Sequence, residues 1–422
     1  MTNFAGEITP AIGTLPSLEK VMGSLGLYLL VLNLIYFQNR FTKASKNLLL
    51  NLANLELLAF LAIFLFVLGG NSLFGFLFGE LELFPSLLSL AIYFLGLGFF
   101  HYTYSRQNRF HALQHASQQL RLILPFALPY LFFVGILDLL ISLPYPRVKE
   151  ILFGENVLPF FLLSLGILAL ILVFFPPLIM KLWGCRPMQA DLPLKKRLDE
   201  LCKKANFKHG GLYDWTILNK SHTAAILGIL PKWRYILFTK RLQDDLAYES
   251  IEAILAHEIG HSQRKHLIFY PFVLLGMMVC IGLFSLFGGR FIEEWFINHT
   301  KWISLYPLAL FLSYAVIIWM YFRFVFGFFS RAFERQADLH CFELDMPPEQ
   351  MIGALDAVAV ATGFTHLAPN WHHYSIKERM DFLTEATAHP SLGPKHHLKV
   401  RKIIAFYLVI LALSFGLFIY II

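Results

Sequence analysis

Charge is scarce in this chain. Only 15% of its 422 residues are Asp, Glu, Lys or Arg, against roughly a quarter in soluble domains. That scarcity excludes an ordinary water-soluble protein. Cysteine is also sparse: Cys185, Cys202, Cys280 and Cys341 stand far apart and form no CxxC. A disulfide framework or a cysteine-built zinc knuckle is therefore not expected. The first twenty residues lack the basic start of a cleaved signal peptide. We expect the first apolar segment to be kept as an anchor. No internal repeat or low-complexity tract is present, and no inverted repeat of the kind common in secondary transporters. No basic patch interleaved with aromatics marks a nucleic-acid surface, so the net charge of +7 is ascribed to basic loops beside a membrane.

What is abundant is apolar: 57% of the residues, gathered in blocks. Runs of roughly 20 such residues cross a bilayer as helices. Eight are expected, with cores near 20–37, 56–78, 84–104, 122–143, 158–181, 267–289, 303–328 and 403–422. Glu56 and the pair Pro176-Pro177 are read as interrupting the second and fifth. Loop charge sets the orientation. The loop after the first span carries Arg40, Lys43 and Lys46, and that after the third Arg106, Arg109 and Arg121. The loop after the second, GELEL, is acidic only. Positive residues mark the cytosolic side. Both termini then lie on the non-cytosolic side, in a bacterial inner membrane or an ER-type membrane.

Two polar segments are too long to be simple connections. The chain is divided accordingly: spans one to five over 1–182, a catalytic region over 183–266, spans six and seven over 267–329, a second catalytic region over 330–401, and the last span over 402–422. Both polar regions are expected in the cytosol, as one small α/β region. Two β-rich runs flank LPKW in the first and read as adjacent strands. Helix is expected from about Asp245 onward.

That helical stretch contains HEIGH. Histidines at i and i+4, here His257 and His261, share one helix face and can grip one ion. Glu258 projects beside such an ion. Zinc with an open position lowers the pKa of its water toward about 7, and Glu258 is placed to take the proton. One zinc per chain is expected. A catalytic zinc usually has a third protein ligand. The best candidate is Glu334 in FSRAFERQADLHC, with Asp338 one turn on to accept a hydrogen bond from a ligating imidazole. The alternative for this helix is a solvated face of Glu–Arg pairs.

HEIGH, then two membrane spans, then SRAFERQAD resembles the M48 family of zinc metallopeptidases, and within it the Ste24 branch that includes the CAAX prenyl proteases. The resemblance implies His257, His261 and Glu334 as zinc ligands, Glu258 as catalytic base and Asp338 as partner of a ligating histidine. It implies a zincin-like catalytic region on a polytopic α-helical membrane protein. The family's H-P-x-x-x-x-R segment corresponds to HYSIKER. There His373 would stabilise the oxyanion and Arg379 would support the site. Tyr374 replaces the family's proline, and His372 competes for the role of His373. The family's substrate strand, roughly N-A-F-x-x-G, corresponds to TAAILG, with Thr223, Ala224 and Ala225 as substrate contacts. An eighth span is a departure from the seven of the eukaryotic prenyl proteases.

The implied activity is cleavage of membrane-associated or lipid-modified peptides and proteins. The alternative is general turnover of membrane proteins, as in the HtpX-like relatives. A transporter holding a structural zinc would need a site closed by four protein ligands. Asp138 and Arg323, ionisable at membrane depth, are read as a pair joining helices, with the lining of an internal polar cavity as the alternative. The oligomeric state is open.

Overall fold

The computed structural model describes residues 17–66, 68–104, 109–154, 156, 158–219, 221–363, 367 and 374–421. Among these, eight helices are long and apolar enough to cross a membrane: Leu18–Phe41, Lys46–Leu65, Leu83–Tyr104, Leu113–Ser142, Leu158–Leu182, His266–Asn298, Tyr306–Glu343 and Leu392–Ile421. The expected count holds, but the second span starts ten residues before its predicted core. Its sequence end is also misread. Gly69 takes a left-handed conformation (φ 79°), and Gly70–Phe78 folds as a separate short helix. Glu56 does not interrupt the second span. It lies inside it, and its Oε1 accepts a hydrogen bond from Gln38 Nε2. Pro176 and Pro177 likewise stay within the fifth span. Spanning helices tolerate such breaks because neighbouring groups re-satisfy the freed carbonyls.

The chain divides into two compact units, residues 1–171 and 172–422. In the first, Ile35, Ala53, Leu57 and Phe100 are sealed at the centre of an apolar cluster from spans one, two and three. Asp138, on the fourth span, joins it to the start of the third. Its carboxylate accepts from the backbone N–H of Glu82 and Leu83, at 3.0 and 2.8 Å. These are the orphan donors at the start of the third span, so the charge is spent on a helix end.

The second unit holds the polar region. Its sheet runs in the order β1 (Arg186–Pro187), β2 (Gly211–Asp214), β4 (Tyr235–Phe238), β3 (Ala224–Leu227). The β2–β4 pair is parallel, and the other two are antiparallel. β3 and β4 are the two strands expected around LPKW. Gly228 ends β3 with φ 101°, and a Cβ there would meet the Trp233 carbonyl oxygen at 2.0 Å. Only glycine fits that turn.

Below the sheet lies the helix Tyr248–Gln263, which carries HEIGH. Its buried residues Ile251, Leu255, Ala256 and Ile259 pack with Leu198, Ile236 and Phe238 in one core. The helix Pro193–Lys204 supplies Leu194, Leu198 and Leu201 to that core at helical spacing. Such a core anchors the motif helix rigidly, which a metal site requires.

Candidate metal centre

The motif helix does not run unbroken into the sixth span. Lys265 takes a left-handed conformation (φ 61°), and a new helix starts at His266. The break falls five residues after Gly260, which stays helical. Gly260 has a different task. A Cβ on it would lie 2.8 Å from His340 Cβ and 3.0 Å from Ala337 Cα. Glycine therefore lets the motif helix approach Gly327–Asp338 closely.

That second helix does continue a membrane span. Tyr306–Met320 passes through a π-helical segment, Tyr321–Phe326, into Gly327–Asp338. Glu334 and Asp338 sit one turn apart on its buried face. The close crossing brings Glu334 to both histidines. His257 Nε2 and His261 Nε2 are 3.1 Å apart. Glu334 Oε1 lies 3.3 Å from His261 Nε2, and its Oε2 lies 3.7 Å from His257 Nε2.

These separations fit a zinc ion. Ligands about 2.0–2.1 Å from a tetrahedral zinc lie roughly 3.3 Å from one another. The chemistry of the donors fits as well. His257 Nδ1 faces Asp338 Oδ1 at 2.8 Å, and His261 Nδ1 faces His266 Nδ1 at 2.9 Å. His257 Nδ1–H donates to Asp338, so its Nε2 lone pair faces the same spot as His261 Nε2, beside a carboxylate. Such an array is repulsive unless a cation fills it. Burial works against a charge on His261, yet the hydrogen bond and charge of Glu334 outweigh it and raise its pKa. The pocket is built for positive charge. Three protein donors leave a fourth position free.

Arg379 closes the far side. Its Nε and Nη2 donate to Asp338 Oδ2 and Oδ1 at 2.9 and 2.5 Å, a bidentate pair. Its Nη1 is 3.4 Å from Glu334 Oε2. Asp338 is fully buried between His257 and this guanidinium. Arg379 comes from the helix Ile376–Ala388, which begins with a capping box of Ser375 and Glu378. Burial raises the Glu258 carboxyl above the usual carboxylate range, against the opposing charges of His257 and His261.

The structure thus brings together His257, Glu258, His261, Glu334, Asp338 and Arg379 from three separated segments. His372 and His373 lie outside the described residues. His266 was missed. It stands five residues beyond HEIGH, but the bend at Lys265 that returns it to His261 has no spacing rule to reveal it.

Thr223, Ala224 and Ala225 lie on the outer strand of the sheet, where β3 pairs with β4 alone. Register decides which main-chain groups face outward. Thr239 N–H donates to the Thr223 carbonyl, and Ala225 pairs with Leu237. Alternation along an antiparallel pair then turns Thr223, Ala225 and Leu227 toward β4. Trp215 N–H donates to the Phe238 carbonyl on the opposite side of β4, which agrees with this phase. The open edge is presented by Ala224 and Ile226. Of the three expected contacts, Thr223 and Ala225 turn their main-chain groups toward β4 and Ala224 turns its own to the open edge.

Residues 189–393 match the model of peptidase family M48. The crystal structure of S. mikatae Ste24p is similar to the chain, with 17% identity and a TM-score of 0.48, covering 88% of this chain and 99% of that one. No curated protein matches the sequence.

Proposed function

With a peptidase family M48 domain over residues 189–393 as premise, we propose that this protein is a zinc-dependent endopeptidase of the membrane, acting on extended peptide segments. The observation that carries the reading is the convergence of His257, His261 and Glu334, whose ligand atoms all lie within 4.8 Å of one another. Glu258 is the side chain next to the first of them.

His257, His261 and Glu334 would hold the ion. When bound, zinc supplies a Lewis acid that eases deprotonation of water and polarises a peptide carbonyl. Glu258 accepts the proton of the attacking water and returns it to the departing amine. A raised carboxyl pKa suits both halves of that task. Asp338 fixes the tautomer and direction of the His257 ring. Against its burial, the charge and hydrogen bonds of Arg379 hold the Asp338 carboxyl below the usual carboxylate range. His373, adjacent in sequence to the Arg379 helix, is assigned to the oxyanion. The peptide adds to the open edge of β3 through the main chain of Ala224 and Ile226.

The site works at the cytosolic membrane interface. Glu334 lies four residues beyond Ser330, where the apolar run of the seventh span ends, or about 6 Å along the helix. Basic loops after spans one and three support a cytosolic orientation of this face. Substrates anchored by a lipid or an apolar segment are therefore favoured over free peptides. The test uses purified full-length protein in detergent and a fluorogenic peptide, with and without a lipid tail. Activity should vanish with a zinc chelator and return with zinc, and the tailed peptide should have the higher kcat/KM. Undiminished cleavage after zinc removal would overturn the enzyme class. Equal kcat/KM for the two peptides would overturn the interfacial site.

A further inference from the structure

The metal-facing tautomer of His261 is set by a chain of partners that reaches the last membrane span. His261 Nδ1 lies 2.9 Å from His266 Nδ1. His266 Nε2 lies 3.2 Å from Gln336 Oε1, and Gln336 Nε2 lies 3.1 Å from His397 Nδ1. At the far end His397 Nε2 is 3.4 Å from both Glu343 Oε1 and Arg264 Nη2, which pair with each other. His266 and Gln336 are 2% and 3% exposed. The His266 ring is stacked on Phe333, with centroids 4.0 Å apart.

From His261 through His266, Gln336 and His397 to Glu343, each link has one direction that is compatible with a bound metal. A ligating His261 needs its Nε2 lone pair free, so its proton is on Nδ1. His266 Nδ1 must then accept, and its proton is on Nε2. That proton requires the oxygen of Gln336, as the structure has it, and turns the Gln336 NH₂ toward His397 Nδ1. Reversing the amide would put the donor against His266 Nε2. It would force a proton onto His266 Nδ1 and leave His261 Nδ1 bare, with its N–H aimed at the metal. The buried amide therefore selects the competent tautomer.

Resting on the metal-site reading above, we propose that His266, Gln336 and His397 are positioning residues for His261, and that the eighth span holds the metal centre in register through His397. This gives the extra span a task. His397 sits in the first turns of Leu392–Ile421. Lower down, Tyr407 of that helix donates to the Phe272 carbonyl and meets Tyr321. The span thus braces the sixth and seventh spans, the former following the motif helix that carries His257 and His261 and the latter leading into the helix that carries Glu334.

The test is zinc affinity by chelator competition on the purified full chain, with the visible spectrum of the cobalt-substituted protein as a second readout. His266→Phe keeps a ring to stack on Phe333 but removes the acceptor. It should weaken zinc about 10–100-fold and shift the cobalt bands. His266→Asn, whose amide oxygen can take the place of Nδ1, should restore most of the affinity. Gln336→Met preserves bulk and should also weaken zinc, which serves where His266→Phe fails to fold. His397→Phe should give a smaller loss in the same direction. Wild-type affinity and spectrum in folded His266→Phe or Gln336→Met would overturn the relay. Unchanged affinity in His257→Ala would instead overturn the metal site itself, so the two failures are distinguishable.

Discussion

His257 and Asp338, 81 residues apart in the chain, meet through a hydrogen bond of 2.8 Å from Nδ1 to Oδ1. Two membrane spans separate them in sequence, so the contact exists only when both spans are in place. Asp338→Ala should lower zinc affinity about 10–100-fold, read by chelator competition. An unchanged affinity would remove Asp338 from the site.

Glu258→Gln should abolish proteolysis while zinc stays bound. Loss of a general base lowers the rate roughly 10²–10⁴-fold, and the amide leaves His257, His261 and Glu334 untouched. Metal content by mass spectrometry and turnover of one peptide check this together. By contrast, Glu334→Ala should lose zinc and activity in parallel. Full zinc in Glu334→Ala would mean that a different residue is the third ligand.

The strand register separates two proline variants. Ile226→Pro removes an N–H from the open edge, where sheets tolerate proline. It should raise KM for the peptide with little change in melting temperature. Ala225→Pro removes an N–H that faces β4, so it should destabilise the fold. The reverse pattern would shift the binding phase of β3 back by one residue.

Gly260→Val should harm both stability and zinc binding. Its added atoms meet the Ala337 backbone at about the distance where something must move, and overpacking of this kind costs typically 1–3 kcal/mol. Displacing Gly327–Asp338 also pulls Glu334 from the histidines. Thermal unfolding with and without added zinc measures the two effects. A variant as stable as wild type, with normal zinc affinity, would show that the close crossing is not needed.

Much of this protein is legible in its sequence. Scarcity of charge and the length of the apolar runs determine eight spans, because an unsatisfied backbone is excluded from lipid and helix length must match bilayer thickness. Helical spacing alone pairs His257 with His261, and Glu334 with Asp338. Local pattern fails where a side chain's meaning depends on what it meets. Asp138 looks like a buried charge seeking a cation, and it caps a helix from a neighbouring span. Glu56 looks like a break, and the helix runs on through it, with Gln38 hydrogen-bonded to its Oε1. Gly260 is one more residue of a helical motif by pattern, and the close approach of Ala337 makes it a contact point. Ala225 looks equivalent to Ala224, and only the phase of the ladder with β4 divides inward from outward. His266 is the clearest case. A left-handed Lys265 folds it back on His261, and Gln336 fixes its proton from another span. Sequence supplies ligands one turn apart on a helix, because that relation is local. Bringing Glu334, Asp338, Arg379 and His266 around them is left to the tertiary fold, because those contacts are made by packing between helices far apart in the chain.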